Sequence, residues 1–234
     1  QGGEAAISSH DLKKAEIRSL FLDRDVDDSP GTTVLTVAFD DKYGDDPENI
    51  IVHLESHIKK WFWPALCVSR PKLEVTLRQF DNHKCIKDKL VNLSGNNIYQ
   101  PFIDAFVNQN TEKMISGSVQ LDIPPKTNPR NDIDIDRTGF NSRTDLNLQI
   151  VDSGLESESS LKNHIAYLRN DLCVVSYERI TTTIASKSLF GVLKAGIARG
   201  SSQEDLAMHD FLRDAEPPLH NNWKYKLKVG INYK

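Results

Sequence analysis

The sequence predicts a mixed α/β protein (α/β in order, α+β in detail), and three segments carry that prediction. Thr32 to Phe39, TTVLTVAF, is a β-branched apolar run of strand length. Lys72 to Phe80, KLEVTLRQF, alternates, with Leu73, Val75 and Leu77 on one face and Glu74, Thr76 and Arg78 on the other. Between them Ile50, Ile51, Leu54, Ile58, Trp61 and Phe62 recur at the 3.6-residue spacing of an amphipathic helix, which places these six inward.

The other elements follow from the same rules. Residues 1–15 are small and polar and read as a linker or disordered start, and Glu16 to Leu22 as a short strand. Asp28-Ser29-Pro30-Gly31 is a turn signal, and Asp40 to Pro47 is an acidic loop. The helix takes Asp45 or Asp46 as N-cap and Pro47 at its first position, and it ends near Pro64, whose ring and missing N–H oppose continuation. Asn97 to Asn108 predicts a helix with Ile98, Phe102, Ile103 and Phe106 inward. Met114 to Ile123 predicts a strand, residues 124–144 a long loop or insertion, Asp145 to Val151 a strand and Asn163 to Leu168 a short helix. Cys173 to Ile184 and Leu189 to Ile197 read as strands. Ser201-Ser202-Gln203-Glu204 resembles a capping box opening a helix to about Arg213, with Pro217-Pro218 beyond it, and Val229 and Ile231 begin a last strand. The sheet divides near residues 85–112, giving one unit over 16–90 and another over 91–234.

Composition narrows the function classes. At 234 residues with 38% hydrophobic side chains, the chain is long enough for one and a half to two domains with a buried core. A net charge of −4 argues against a uniformly basic nucleic-acid binder, though a local basic patch is compatible with it. Cys67, Cys85 and Cys173 are an odd, widely spaced set without a CxxC, and Cys67 and Cys173, in apolar surroundings, read as reduced core residues of a cytoplasmic protein. No apolar run reaches the length of a membrane span, and no signal peptide is visible.

Two stretches resemble a known family. Residues 30–79 combine a Gly-Thr opening a β-branched strand, an acidic loop, a helix, an aromatic-Pro exit and a returning strand. Residues 187–223 combine an apolar strand with a Gly, a helix ending in Leu-Arg, then Glu-Pro-Pro, His and Trp. Together they resemble the GHKL-type ATPases: gyrase, MutL, microrchidia proteins and, most nearly, bacterial relatives of the ninety-kilodalton heat-shock chaperone found in phage-defence islands. The resemblance implies the end of a Bergerat-type α/β sandwich followed by a ribosomal-protein-like transducer domain of mixed sheet and helices. It implies ATP and Mg as cofactors, held by an upstream ATP-binding segment that carries the catalytic Glu, the Mg-binding Asn and the Asp-x-Gly-x-Gly motif, none of which occurs in this chain. Gly31 and Thr32 fall on the adenine-pocket positions, with Thr33 the second choice for the Thr. Lys194, ahead of Lys187 and Arg199, is the choice for the transducer lysine that reaches the terminal phosphate. Arg213, Glu216, His220 and Trp223 match a domain joint. The family implies a homodimer or a defence-complex partner, with nucleic acid a further possible partner.

Each constellation also has a plainer reading. Gly31-Thr32-Thr33 reads as the floor of a nucleotide pocket or as an ordinary turn into a strand. His53 and His57 share a helix face but lack a third metal ligand, so they read as solvent-facing residues. Trp61, Phe62, Trp63 and Pro64 read as buried helix end rather than exposed patch. Asp132, Asp134 and Asp136 fall on one face of an extended segment; they are either a solvated edge or the divalent-cation site of a metal-dependent hydrolase. Lys224, Lys226 and Lys228 form a small basic stripe, read as a phosphate contact or as an edge guard. The alternative to a nucleotide-gated machine is a non-catalytic scaffold or interaction module.

Overall fold

The computed structural model describes residues 47–67, 72–81, 84–93, 98–107, 111–125, 137, 139–152, 160–181 and 187–215. The chain divides into two compact units, Gln1–Pro47 and Glu48–Lys234, and every described residue except Pro47 belongs to the second. The strands expected at Glu16 to Leu22, at Thr32 to Phe39 and from Val229 lie outside the described residues.

Twelve elements are described, in chain order. They are helix α1 (Pro47–Leu66), strands β1 (Thr76–Asp81) and β2 (Lys84–Leu90), helix α2 (Gln100–Val107), a 3-10 turn (Thr111–Lys113), strands β3 (Met114–Asp122), β4 (Asn141–Asp152), β5 (His164–Leu168), β6 (Ser176–Arg179) and β7 (Lys187–Lys194), a 3-10 turn (Gly196–Ala198) and helix α3 (Gln203–Asp214). Helices and mixed sheet alternate, so the α/β class read from the sequence holds.

Strands β1 and β2 form a two-stranded antiparallel sheet with an irregularity at Gln79/Phe80. Leu73, Val75 and Leu77 are half-buried while Glu74, Thr76 and Arg78 are exposed, so the expected alternation is present even though the paired strand starts only at Thr76. Strand β2 escapes a hydrophobicity reading because KCIKDKL has no apolar face; pairing with β1 holds it, aided by the Arg78–Asp88 pair at 3.0 Å between register partners. Lys89 of β2 and Lys59 of α1 both engage Glu55. Burial opposes the charge on Glu55, but the two ammonium hydrogen bonds outweigh it and hold the carboxyl below its usual range.

The second sheet has five strands in the order β3-β4-β7-β5-β6, all pairs antiparallel except β5 with β7. Its strand β5 corrects one expectation, since Asn163 to Leu168 is a turn and strand rather than a helix. Asn163 takes φ 55°, a left-handed conformation that Asn tolerates, and its Oδ1 accepts the N–H of Leu189 on β7 at 3.0 Å. Local helix propensity yields to that pairing. Likewise the expected loop at 124–144 ends earlier, because β4 begins at Asn141.

One face of this sheet carries the core. Trp63, Phe102, Ala166, Leu168, Phe190 and Val192 are fully buried together. Phe102 stands edge-on to Phe190 at 5.2 Å and stacks on Trp63 at 6.2 Å. Ile98 departs from the expected inward set: it precedes α2 and is exposed. In α1, Leu54 and Phe62 are also exposed, because burial concentrates at the C-terminal end around Trp63, Pro64 and Ala65.

Helix α1 runs through Pro64 to Leu66 instead of stopping. Proline there leaves the Lys60 carbonyl without its helical N–H partner. The Tyr177 hydroxyl supplies the missing donor at 2.5 Å, while the Trp63 indole N–H donates to that same hydroxyl at 2.9 Å. The N–H of Val174 likewise reaches the Trp61 carbonyl at 2.8 Å. Tertiary partners thus satisfy the helix end that proline disrupts.

Helix α3 packs through Ala207 and Met208 on Ile123, Ala195 and Leu193, the last on the opposite side of β7 from Val192. Its N-cap is Ser202, whose hydroxyl accepts the Asp205 N–H, so the cap falls one residue later than the Ser201 reading.

Candidate functional site

Strand β4 reads DLNLQI, with Asp145, Asn147 and Gln149 on one face and Leu146, Leu148 and Ile150 on the other. The pattern suggests a polar face turned to water. The structure instead turns Asp145, Asn147 and Gln149 toward α2, because Asn147 pairs with Val192 and Gln149 with Phe190, both core residues. Asn147 and Gln149 are buried there. Strand register extends this polar row outward: Ser116 lies opposite Asn147, and Ser118 opposite Asp145. On the other side Lys194 lies opposite Asp145.

The outcome is an open groove of about 570 Å³ beyond the end of α2, lined by Met114, Ser116, Gly117, Ser118, Asp145, Asn147 and Lys194. Two of its lining side chains, Asn147 and Lys194, reach back to the C-terminus of α2, whose last carbonyls have no helical donors. Asn147 Nδ2 donates to the Ala105 carbonyl at 3.0 Å, and Lys194 Nζ donates to that of Phe106 at 3.3 Å. The Lys194 ammonium also stands 5.8 Å from the Phe106 ring centroid. Burial lowers the Lys194 pKa below the usual lysine value, against the opposing pull of the Asp145 carboxylate.

Arg199 ties the groove to α3. Its Nε donates to Asp145 at 3.0 Å and its NH1 to Asp205 at 2.8 Å, so both carboxylates are matched by one guanidinium. At the rim Arg143 donates to the Ser118 hydroxyl at 2.6 Å. The local formal charge of Lys194, Arg143 and Arg199 against Asp145 and Asp205 is positive by one. The groove therefore offers an ammonium and two hydroxyls to an anionic or polar ligand.

The sequence-predicted residues are distributed as follows. Lys194 lies in the groove, and Arg199 braces it, whereas Lys187 lies at the far end of β7. Arg213 pairs with Asp210, one turn back on α3. Asp210 also lies near the fully buried Arg137, which stands 3.5 Å from it and 3.1 Å from Asp214, though the Arg137 N–H groups are not aligned into hydrogen bonds. Gly31, Thr32, Thr33, Glu216, His220, Trp223, Asp132, Asp134 and Asp136 lie outside the described residues. His57 is exposed and His53 half-buried, and no cluster of three or more metal-binding side chains occurs among the described residues. Among those residues no helix is long and apolar enough to cross a membrane.

Sequence reasoning missed Asp145, Asn147, Ser116 and Ser118. The available signal was the unbroken polar alternation of β4, with hydroxyls recurring at the same period in β3. Compared with protein-family models, curated proteins and solved structures, the chain matches none.

Proposed function

We propose that this chain is the relay part of a nucleotide-gated ATPase of the GHKL type, with Lys194 as the side chain that responds to the terminal phosphate. The observation that supports this is the position of the Lys194 ammonium: half-buried at a strand end, facing an open polar groove, and donating to a helix-end carbonyl at the long distance of 3.3 Å. A phosphate oxygen is a stronger, charge-assisted acceptor than a neutral carbonyl. An anion in the groove would therefore draw Lys194 away from Phe106 and leave the last turn of α2 with one donor fewer. That turn packs Phe106 edge-on against Trp63 at 5.6 Å, so the change reaches the end of α1 directly.

The groove suits a phosphate: Lys194 and the Ser116 and Ser118 hydroxyls are donors, and Asp145 is already held by Arg199. ATP with Mg would supply the hydrolysable triphosphate, and that chemistry is assigned to the upstream segment. A role in bacterial defence or nucleic-acid handling, and cytoplasmic residence, accompany this reading.

The test uses the product of the full gene. ATP is expected to raise its Tm, and Lys194→Gln to reduce turnover by about tenfold to a hundredfold, the scale of one lost charge-assisted contact, while leaving nucleotide affinity close to wild type. A gene lacking the upstream Glu, Asn and Asp-x-Gly-x-Gly residues, or an ATP titration that leaves the melt unmoved, would refute it. The latter result favours the interaction-module reading, for which the exposed edge of β3 is the specific observation.

A further inference from the structure

Strand β3 is an edge of the five-stranded sheet, and among the described residues it pairs only with β4. From Ile115 to Asp122 every residue is exposed, including Ile115 at 51%, Val119 at 60% and Leu121 at 41%. Long edge strands are ordinarily guarded by Lys, Pro or a bulge, because their free N–H and C=O groups template pairing with another strand. Met114 to Leu121, MISGSVQL, contains no charge and no Pro, and its register with β4 runs without a bulge.

The residues of β3 are also self-complementary about Ser118. Stepping outward, Gly117 matches Val119, Ser116 matches Gln120 and Ile115 matches Leu121. Two antiparallel copies related by a two-fold axis at Ser118 would, over Ile115–Leu121, place apolar residues opposite apolar ones on one face and polar opposite polar on the other, with Met114 facing Asp122 at each end. This is the one register that pairs all nine residues of Met114–Asp122. A shift by one residue would set Ile115 against Gln120 and mismatch the two faces. Gly117 completes the fit, since a Cβ built on it meets nothing within 4 Å, leaving room for the Val119 side chain of the other copy.

We infer that a second copy of this chain docks on β3, edge to edge and antiparallel about Ser118, making one sheet continuous through ten strands. The uncharged stretch Met114–Leu121 suits its own copy, and Asp122 would face Met114, so self-pairing sets no like charges opposite each other. The pairing is independent of nucleotide. It would extend the row Ile115–Leu148–Gly191–Ile165 of each copy across the axis. The two Lys194 groups would then lie on the same face, separated by five strand spacings of about 4.8 Å each.

The experiment is sedimentation equilibrium of the full chain over a wide concentration range, together with disulfide trapping in a Cys85→Ser background that removes the exposed native thiol. The expected result is a monomer–dimer equilibrium that Val119→Lys weakens by about tenfold or more, while Leu172→Lys, a charge placed on an exposed apolar residue away from β3, leaves it unchanged. Ser118→Cys should cross-link rapidly because it faces itself across the axis, and Gln120→Cys slowly because it faces Ser116. A chain that stays monomeric with an unreactive Ser118→Cys overturns the inference. So does a dimer that Val119→Lys leaves intact. Concentration-independent protection of β3 amides in a monomer also overturns it, and would mean that another segment of the same chain covers the edge.

Discussion

The two ends of one sheet face are built to opposite specifications. Over β5 and β7, Ala166, Leu168, Phe190 and Val192 pack with Phe102 and Trp63 in one buried apolar cluster. Over β3 and β4 the same face carries Ser116, Ser118, Asp145 and Asn147, and α2 ends just where this polar region begins. Packing supplies the stability of the first region. The second leaves a lysine and two hydroxyls facing open space, an arrangement that costs stability and suits a ligand. Stability and ligand response should therefore separate along β7, between Val192 and Lys194.

Substitutions can break this contrast, and the largest effect is expected at Trp63. Trp63→Ala empties the centre of the aromatic cluster and removes the indole donor to Tyr177; urea denaturation should show a loss of about 3–5 kcal/mol. Tyr177→Phe keeps the ring but leaves the Lys60 carbonyl and the Trp63 N–H without their shared partner, for a loss of about 1–3 kcal/mol by the same measurement. Gly191→Ala should follow at about 1–2 kcal/mol, since its Cβ would stand 2.7 Å from Ile165 Cγ1 and 2.8 Å from Leu148 Cδ2 and force both side chains to shift.

Two milder changes sharpen the contrast. The folded pKa of Glu55 is depressed, so its contribution is present above the ordinary carboxylate value of 4.5 and is lost as pH falls through the lower folded value. Glu55→Gln should reduce stability at neutral pH by no more than about 1 kcal/mol, and should flatten the acid limb of a Tm-versus-pH profile. Lys194→Gln should change urea stability least, within about 0.5 kcal/mol, because the hydrogen bond it gives up is long at 3.3 Å and a half-buried charge is removed with it. A large stability loss at Lys194 would make it a structural cap and erase the distinction between the two regions.

The helices were legible where a single face is buried along their length. Phe102 and Ile103 fix α2, and the Ser-x-x-Asp start of α3 sits one residue from its expected place. Strand β5 was not legible, because HIAYL is short and apolar enough to suit either state until Asn163 takes its turn conformation beside Leu189. Within the site, Lys194 was reachable through a family resemblance, whereas its neighbours were not. Asp145 and Asn147 carry no motif; only the pairing of β4 with both β3 and β7 assembles them with Ser116 and Ser118.

By itself the sequence determined the α/β alternation, the helical period of α1 and the inward Phe102 and Ile103 of α2, and it marked β7 as a strand, because side-chain periodicity is a local property of helix and strand geometry. Tertiary structure alone decided that α1 passes through Pro64, that residues before and after the expected division near 85–112 share one core, and that the polar side of β4 turns inward beneath a helix end. The physical reason is common to all three. An unsatisfied carbonyl, an aromatic ring or a buried amide is settled by partners distant in the chain, such as Tyr177 for Lys60 and Asn147 for Ala105, and those partnerships have no signature in local spacing.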